Sequence, residues 1–539
     1  MQRPLFFLTL ISLLAACVTS PTPTPLPAMP ISPVTGLPSG TQGYPWWNDT
    51  VFYEIFVRSF YDSNGDGLGD FKGITAKLDY LKDLGVSGLW LMPIQPASSY
   101  HGYDVTDYDA VNPDYGTLAD FKQLLAEAHK RGIRLIIDFV LNHTSDQHPW
   151  FVASQDPKSP FRSWYVWSKT DPGQQYWHSS ASGWYYGFFD EHMPDLNYTN
   201  PDVTAKMEDV ARYWLQDIGV DGFRLDAAKY LIEEGTLVQN SASTHAWYKN
   251  FRPAYKQLNP QALTIGEVWD IAPTEADYAQ GDQLDLTFEF DLAQSLILSA
   301  RTARAADAID SLTVDNNLFK PNQFGTFITN HDQNRVISQL AGDVNKAKVA
   351  ALMLLTSPGV PFIYYGEEIG MLGLKPDEEI RVPMQWTAGA NAGFTTGQPW
   401  EALNPDYGNR NVATESSDPN SLWSLYRALI QLRNQHAALR VGDFHAVTST
   451  SSAVFSILRV SQGEAVLVLI NLDKNAVSNA QLSLASSALS AGTYHAVPML
   501  GSGPVADLTV NAPGGFDGYV PLPSLPAYSG LILQLQAAK

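Results

Sequence analysis

Three short apolar stretches in this chain each end on an acid: the run 218–226 on Asp226, Ile265-Gly266-Glu267 on Glu267, and Phe327-Ile328-Thr329-Asn330-His331-Asp332 on Asp332. Arg224 and Asp226 lie two apart, so on a strand both point to one face. A buried Asp and Arg at a strand end are costly to desolvate unless paired or used. An ion pair of purely structural purpose accounts for one such strand. Three strands that each deliver a carboxylate to the same end describe the functional face of a parallel barrel. Further apolar runs at 51–57, 85–93, 132–140, 285–290 and 359–365 bring the strand total to eight. Helical spacing separates the first of them, with Leu78, Leu81 and Leu84 in 74–84, and a second helix over 120–130. The expected fold class is α/β, a (β/α)8 TIM barrel.

The rhythm breaks twice. From 144 to 200 the chain is rich in Trp, Tyr, Phe, Ser and Pro and too long for a simple connection, so an inserted domain is expected after strand three. From 439 to 539 alternating runs such as 465–471 and 530–535 predict a C-terminal antiparallel β-sandwich domain. The barrel then occupies 44–143 and 201–438.

Residues 1–43 do not read as part of the fold. Arg3 and the apolar run 5–14 have the form of a cleaved signal peptide, assigned to 1–16, and too short to span a bilayer. Leu14-Ala15-Ala16-Cys17 resembles the lipobox of bacterial lipoproteins, which makes Cys17, the single cysteine, a lipidation site. A plain secretory signal ending on Cys is the alternative. The Pro/Thr-rich stretch after Cys17, to residue 43, reads as an extended tether. The expected location is an exported, cell-surface or periplasm-facing lipoprotein that meets the membrane only through its lipid. A formal charge of −21 argues against nucleic acid as a partner.

Asp62-Ser63-Asn64-Gly65-Asp66-Gly67-Leu68-Gly69-Asp70 puts side-chain oxygens at positions 1, 3, 5 and 9 with Gly at 6, the pattern of a calcium loop. Position 12 is Gly73, so it is not an EF-hand, and an ion-free turn has the same composition.

Taken together, the blocks Asp138 to His143, Gly222 to Tyr230, Gly266 to Trp269 and Phe327 to Asp332, with Met193-Pro194-Asp195-Leu196-Asn197 between the first two, resemble the alpha-amylase family of glycoside hydrolases (family 13). The fifth block resembles the group intermediate between alpha-amylases or neopullulanases and oligo-1,6-glucosidases. The resemblance implies a retaining α-glucan hydrolase that cleaves α-1,4 bonds of maltodextrins or starch, with room for α-1,6 or transglycosylation activity. It implies Asp226 as nucleophile, Glu267 as acid/base and Asp332 as transition-state stabiliser. Tyr103, Asp104, His143, Arg224, Lys229, His331 and Arg381 would bind the sugar, and Arg224 would keep Asp226 ionised. A calcium ion would take Asp62, Asn64, Asp66, the Leu68 carbonyl and Asp70, and Asn142 is a further metal candidate. The chain departs from the true amylases at Lys229-Tyr230, where they often carry Lys-His. The segment Arg381 to Trp386 resembles the oligo-1,6-glucosidase and trehalose synthase branches, so an exo-acting glucosidase or an isomerase is the alternative. A non-catalytic sugar-binding member would have lost a carboxylate, and all three are present.

Overall fold

A computed structural model describes residues 36–538; the signal peptide, Cys17 and most of the tether lie outside the described residues. Eight parallel strands form one sheet: β1 (Phe52–Ile55), β2 (Gly88–Leu91), β3 (Arg134–Phe139), β4 (Gly222–Leu225), β5 (Leu263–Gly266), β6 (Leu286–Thr287), β7 (Gly325–Thr326) and β8 (Val360–Tyr364). The order β7-β8-β1-β2-β3-β4-β5-β6 closes on itself through a parallel bridge between Phe288 and Gly325. Every residue of β1, β2, β4, β5 and β8 is buried, which explains why they read as continuous apolar runs and not as alternating ones. Gly222 enters β4 at φ +155°, and a Cβ there would sit 2.1 Å from the Leu263 carbonyl oxygen, so only glycine lets β4 approach β5.

Helices cover the outside of the barrel, among them α1 (Phe71–Leu84), α2 (Leu118–Lys130), α3 (Pro201–Arg212), α4 (Ala242–Leu258), α5 (Ala272–Tyr278), α6 (Phe290–Thr302), α7 (Ala305–Leu318), α8 (Val344–Thr356) and α9 (Leu422–Gln435). Their starts follow the capping rules. Asp70 caps α1 through the Gly73 amide, and Thr117 and Asp120 form a capping box on α2. Between β3 and α3 the chain builds a short helix, Pro149–Ser154, and a three-stranded antiparallel sheet from Trp167–Ser168, Trp177–Ser180 and Gly183–Tyr186. Beyond α9 an antiparallel sheet runs β9 (Asp443–Ala446), β10 (Val454–Ser461), β11 (Glu464–Asn471), β12 (Gly492–Leu500), β13 (Leu508–Val510) and β14 (Ser529–Ala537) in the order β9-β10-β11-β14-β12-β13.

The barrel floor is sealed by the segment just before β1. Trp46 and Trp47 join Phe52, Trp90, Phe288 and Phe362 in the barrel-interior cluster. The Trp46 indole N–H donates to the Gln261 carbonyl at 2.7 Å, Trp47 donates to Gln323 at 3.0 Å, and Arg134 donates to the Pro38 carbonyl at 2.8 Å. Arg134 begins β3, and Gln261 and Gln323 precede β5 and β7, so the chain enters the domain at the N-terminal end of the strands.

Three carboxyls are enclosed where α5, α6 and α7 meet. Glu275, Glu289 and Asp315 are all buried, and Glu275 Oε2, Glu289 Oε1 and both Asp315 oxygens have no hydrogen-bond partner. Asp291 is the neighbouring charge on α6, and it too is negative. Burial, and then repulsion from Asp291, pushes Asp315 up to about 8; burial and then Asp315 push Glu289 up to about 9. A carboxyl with a raised folded pKa holds its proton in the native state while the unfolded chain has already released it. Stability is therefore lost as pH rises from the unfolded value toward the folded one. Unfolding measured between pH 5 and 8 should show stability falling, and Asp315→Asn or Glu289→Gln should flatten the slope by about 1.4 kcal/mol per pH unit for each proton removed from the balance. Slopes identical to wild type would contradict this.

Candidate active site

Strands β3, β4 and β5 run in register so that Asp138 pairs with Arg224, and Arg224 pairs with Ile265, two residues before Glu267. Arg224 and Asp226 lie on one face, as period two requires. The consequence is a single guanidinium shared by three carboxylates. Arg224 Nη1 lies 3.0 Å from Asp138 and 2.7 Å from Asp226, and Nη2 lies 2.9 Å from Glu267. The Glu267 carboxylate also accepts the Ala227 amide at 3.1 Å, where the backbone turns left-handed at φ 49°.

Exposure sorts these groups. The side chains of Arg224 and Asp138 are 1% and 0% accessible, whereas those of Asp226, Glu267 and Asp332 are 11%, 14% and 28% accessible. The buried pair is scaffold, and the three acids named from the sequence face the open side.

Asp332 is held from both sides, by Arg381 Nη2 at 2.8 Å and His331 Nε2 at 3.0 Å. His331 is fixed in turn by Glu54 of β1 at its Nδ1, 2.5 Å away, and by the Tyr103 hydroxyl, 2.6 Å from Nε2, with the Tyr103 ring stacked at 5.5 Å. Arg381 is also bridged to Asp377 at 3.0 Å, and its Nε donates to the His331 carbonyl.

The electrostatics differ among the acids. Burial opposes ionisation of Asp332, but His331 and then Arg381 outweigh it and hold the carboxyl well below the ordinary range. His331 is raised to about 9: Asp332 and Glu54 overcome the effect of burial. Burial pushes Asp226 up to about 6; Arg224 works in the opposite direction and favours the ionised form, as expected of it, but does not cancel the effect of burial. Glu267 is raised too, by burial and by the neighbouring Asp226 and Asp332.

The remaining sugar-contact candidates fall into two groups. His143 is buried, its Nε2 has no partner, and burial lowers it to about 3, so it presents a neutral ring. Asp104 is buried and accepts from the Ser99 hydroxyl at 2.5 Å. Lys229, by contrast, is committed to the loop after β5: it donates to the Trp269 carbonyl at 2.6 Å and pairs with Asp270 at 3.0 Å. Its ammonium braces that loop.

The sequence pattern did not single out Glu54 or the aromatic rim. Phe189 and Trp269 are 44% and 41% exposed, with Phe189 5.4 Å from the His143 and Tyr230 rings and Trp269 stacked on Phe290 at 4.7 Å. Glu54 had a signal, an acid inside the otherwise apolar run 51–57. Exposure of a ring has no sequence signature.

The loop from Asp62 to Asp70 folds through its own amides. Asp62 accepts from the backbone N–H of Asn64, Gly65 and Gly67; Asn64 accepts from Asp66, and Asp66 from Leu68. Asp70 accepts from Ser63 and Gly73. Among the described residues no three His, Cys, Asp or Glu side chains gather as a metal group. The donor set is all oxygen and strongly anionic, which fits a hard divalent cation. A second place fits on different grounds: Asn142 Oδ1, Asp195 Oδ2 and Glu233 Oε1 are buried oxygens without partners. Asp195 faces both of the others; burial, then Glu233, raises it, and burial raises Glu233 to about 7.

Comparison with known proteins agrees with this architecture. The family model described as "Alpha amylase, catalytic domain" matches residues 54–442. "Alpha-amylase 3" of Dictyoglomus thermophilum is 39% identical over 437 residues, covering 80% of this chain and 86% of that protein. "Oligo-1,6-glucosidase" of Parageobacillus thermoglucosidasius is 34% identical over 510 residues, covering 80% and 91%. The crystal structure of an alpha-amylase from H. orenii superposes with a TM-score of 0.79 at 39% identity, covering 90% of this chain and 99% of that one.

Proposed function

The chain belongs to the alpha-amylase family of glycoside hydrolases, and from that premise we propose how its residues divide the work of an α-glucan hydrolase. Asp226 attacks the anomeric carbon, Glu267 protonates the leaving oxygen and then deprotonates the attacking water, and Asp332 braces the ring hydroxyls as positive charge develops. The observation that carries this reading is the shared Arg224: one buried cation holds the nucleophile and the acid beside each other, while their free edges face the opening. The two raised carboxyls suit the chemistry. Asp226 must be ionised and Glu267 protonated, so kcat/KM should follow a bell whose rising limb reports Asp226, raised to about 6, and whose falling limb reports Glu267, raised above the ordinary range.

The bond is α-1,4 in a maltodextrin or starch chain, and the exposed Phe189 and Trp269 rings are the platforms on which its sugars would stack. A time course with maltoheptaose, pullulan and isomaltotriose tests this. Mid-sized maltooligosaccharides should appear early. Glucose released only from chain ends or from isomaltotriose would place the enzyme on the glucosidase branch. Constant reducing ends with changing products would make it an isomerase of the trehalose synthase kind.

Calcium is the metal we assign to these two oxygen sets, the loop Asp62, Asn64, Asp66, Leu68 and Asp70, and the trio Asn142, Asp195 and Glu233. Its charge would relieve the repulsion among the acids and tie the inserted segment to β3. Chelation with EDTA should lower the unfolding temperature by several degrees, with recovery on adding Ca2+ and not Mg2+. An unchanged melt would remove the metal from the account.

We assign the anchor to Cys17. The described chain enters at the barrel floor, the end of the strands opposite the acids, so a tether from Cys17 would not run across the active-site face. Full-length protein should partition into the detergent phase and Cys17→Ser into the aqueous phase; equal partitioning would refute the lipid.

A further inference from the structure

A groove of about 740 Å3, lined in part by Asp332, follows the outward side of α6. Asp291, Gln294, Ser295, Leu298 and Arg301 line it. They recur at three- and four-residue steps and form one stripe, about 15 Å long at 1.5 Å per residue. Asp307, Asp310, Ser311 and Val314 of α7 line it as well, with Gln333 and Lys375, and the Gln333 Oε1 is buried without a partner. The floor is apolar, made by Ile297, Leu298 and the half-exposed Val314.

We propose that this groove extends the substrate cleft and seats a further stretch of α-glucan chain away from the bond being cut. The proposal rests on the functional reading above and deepens it, from α-glucans in general to long ones. A pyranose ring presents a C–H face and an edge of hydroxyls. An apolar floor under rims of amide, hydroxyl and guanidinium groups complements both. The charged residues along the groove, Asp291, Asp307, Asp310 and Asp332 against Arg301 and Lys375, leave a net negative balance, which disfavours an anionic ligand and leaves a neutral sugar unaffected. Asp332 is one of its lining residues, so a chain lying in it would pass beside the reaction centre.

The test compares wild type with Gln294→Ala/Arg301→Ala, which removes rim donors, and Ser295→Trp, which fills the groove. All three substitutions lie on the solvent side of α6, and a melting temperature within about 2 °C of wild type would show that the fold is kept. The kcat/KM on soluble starch should fall about tenfold, mainly through KM, while that on maltotriose stays constant. Starch turnover equal to wild type, or an equal fall on both substrates, would overturn the groove. A wild-type enzyme inert on both substrates would overturn the functional reading itself, and the groove with it.

Discussion

Asp226→Asn is expected to lower kcat on maltoheptaose by on the order of 10⁴-fold or more, about 5.5 kcal/mol of transition-state stabilisation, with the fold intact. The amide has the shape of the carboxylate and still accepts from Arg224, so the substitution removes nucleophilicity and one charge and little else. Folding stability should hold or rise, because burial already disfavours the charge at this position. Glu267→Gln should behave differently. It loses the proton donor and not the nucleophile, so substrates with a good leaving group, such as a nitrophenyl glycoside, should retain their first step while maltoheptaose loses about 10²- to 10⁴-fold. If Asp226→Asn kept a tenth of wild-type activity, the assignment of the nucleophile would be wrong.

Arg224→Met should do the greatest damage to the fold as well as to the chemistry. It leaves Asp138 uncompensated in a fully buried position and removes the partner of two further carboxylates. Losing one member of a buried ion network costs about 3–5 kcal/mol, because the surviving charge has no water to turn to. Part of that cost can be returned by protonating Asp138, so the variant should be more stable at pH 5 than at pH 8. Arg224→Lys separates charge from geometry. A lysine ammonium restores a cation but cannot span Asp226 and Glu267 as the fork of the guanidinium does. Stability should recover in part while kcat stays low. Equal recovery of both would mean that Arg224 supplies charge alone.

The parts of this molecule that were legible in the sequence are those governed by local period and local chemistry. The eight strands announce themselves as apolar runs because both of their faces are covered. Asp226 and Glu267 could be named because each directly follows a buried strand, where a carboxylate needs a reason. Asp332 also ends an apolar run, but β7 stops at Thr326, and the run 327–332, expected as a strand, is the loop that follows it. Glu54 and Asp138 had the same signal, an acid inside an apolar run, but their partners, His331 and Arg224, sit 277 and 86 residues away. Sequence gives the charge and not the pairing. Lys229 adds a contact that its block did not announce: its ammonium is bonded to Asp270 and the Trp269 carbonyl in the loop after β5. The ionisation of Asp226 was legible only in part. Arg224 is visible two residues away, but the depth of burial that outweighs it comes from the surrounding barrel. The orphaned oxygens of Asn142, Asp195 and Glu233 come from three separate segments and meet only in the folded chain.

The central claim is a two-step displacement in which Asp226 forms a covalent glycosyl-enzyme, and the anomeric form of the first product reports on it directly. Maltoheptaose hydrolysis followed by proton NMR within the first minutes, before mutarotation, should show the α-anomer of the new reducing end. A β-anomer as first product would mean single-step inversion by water, and would contradict Asp226 as the nucleophile.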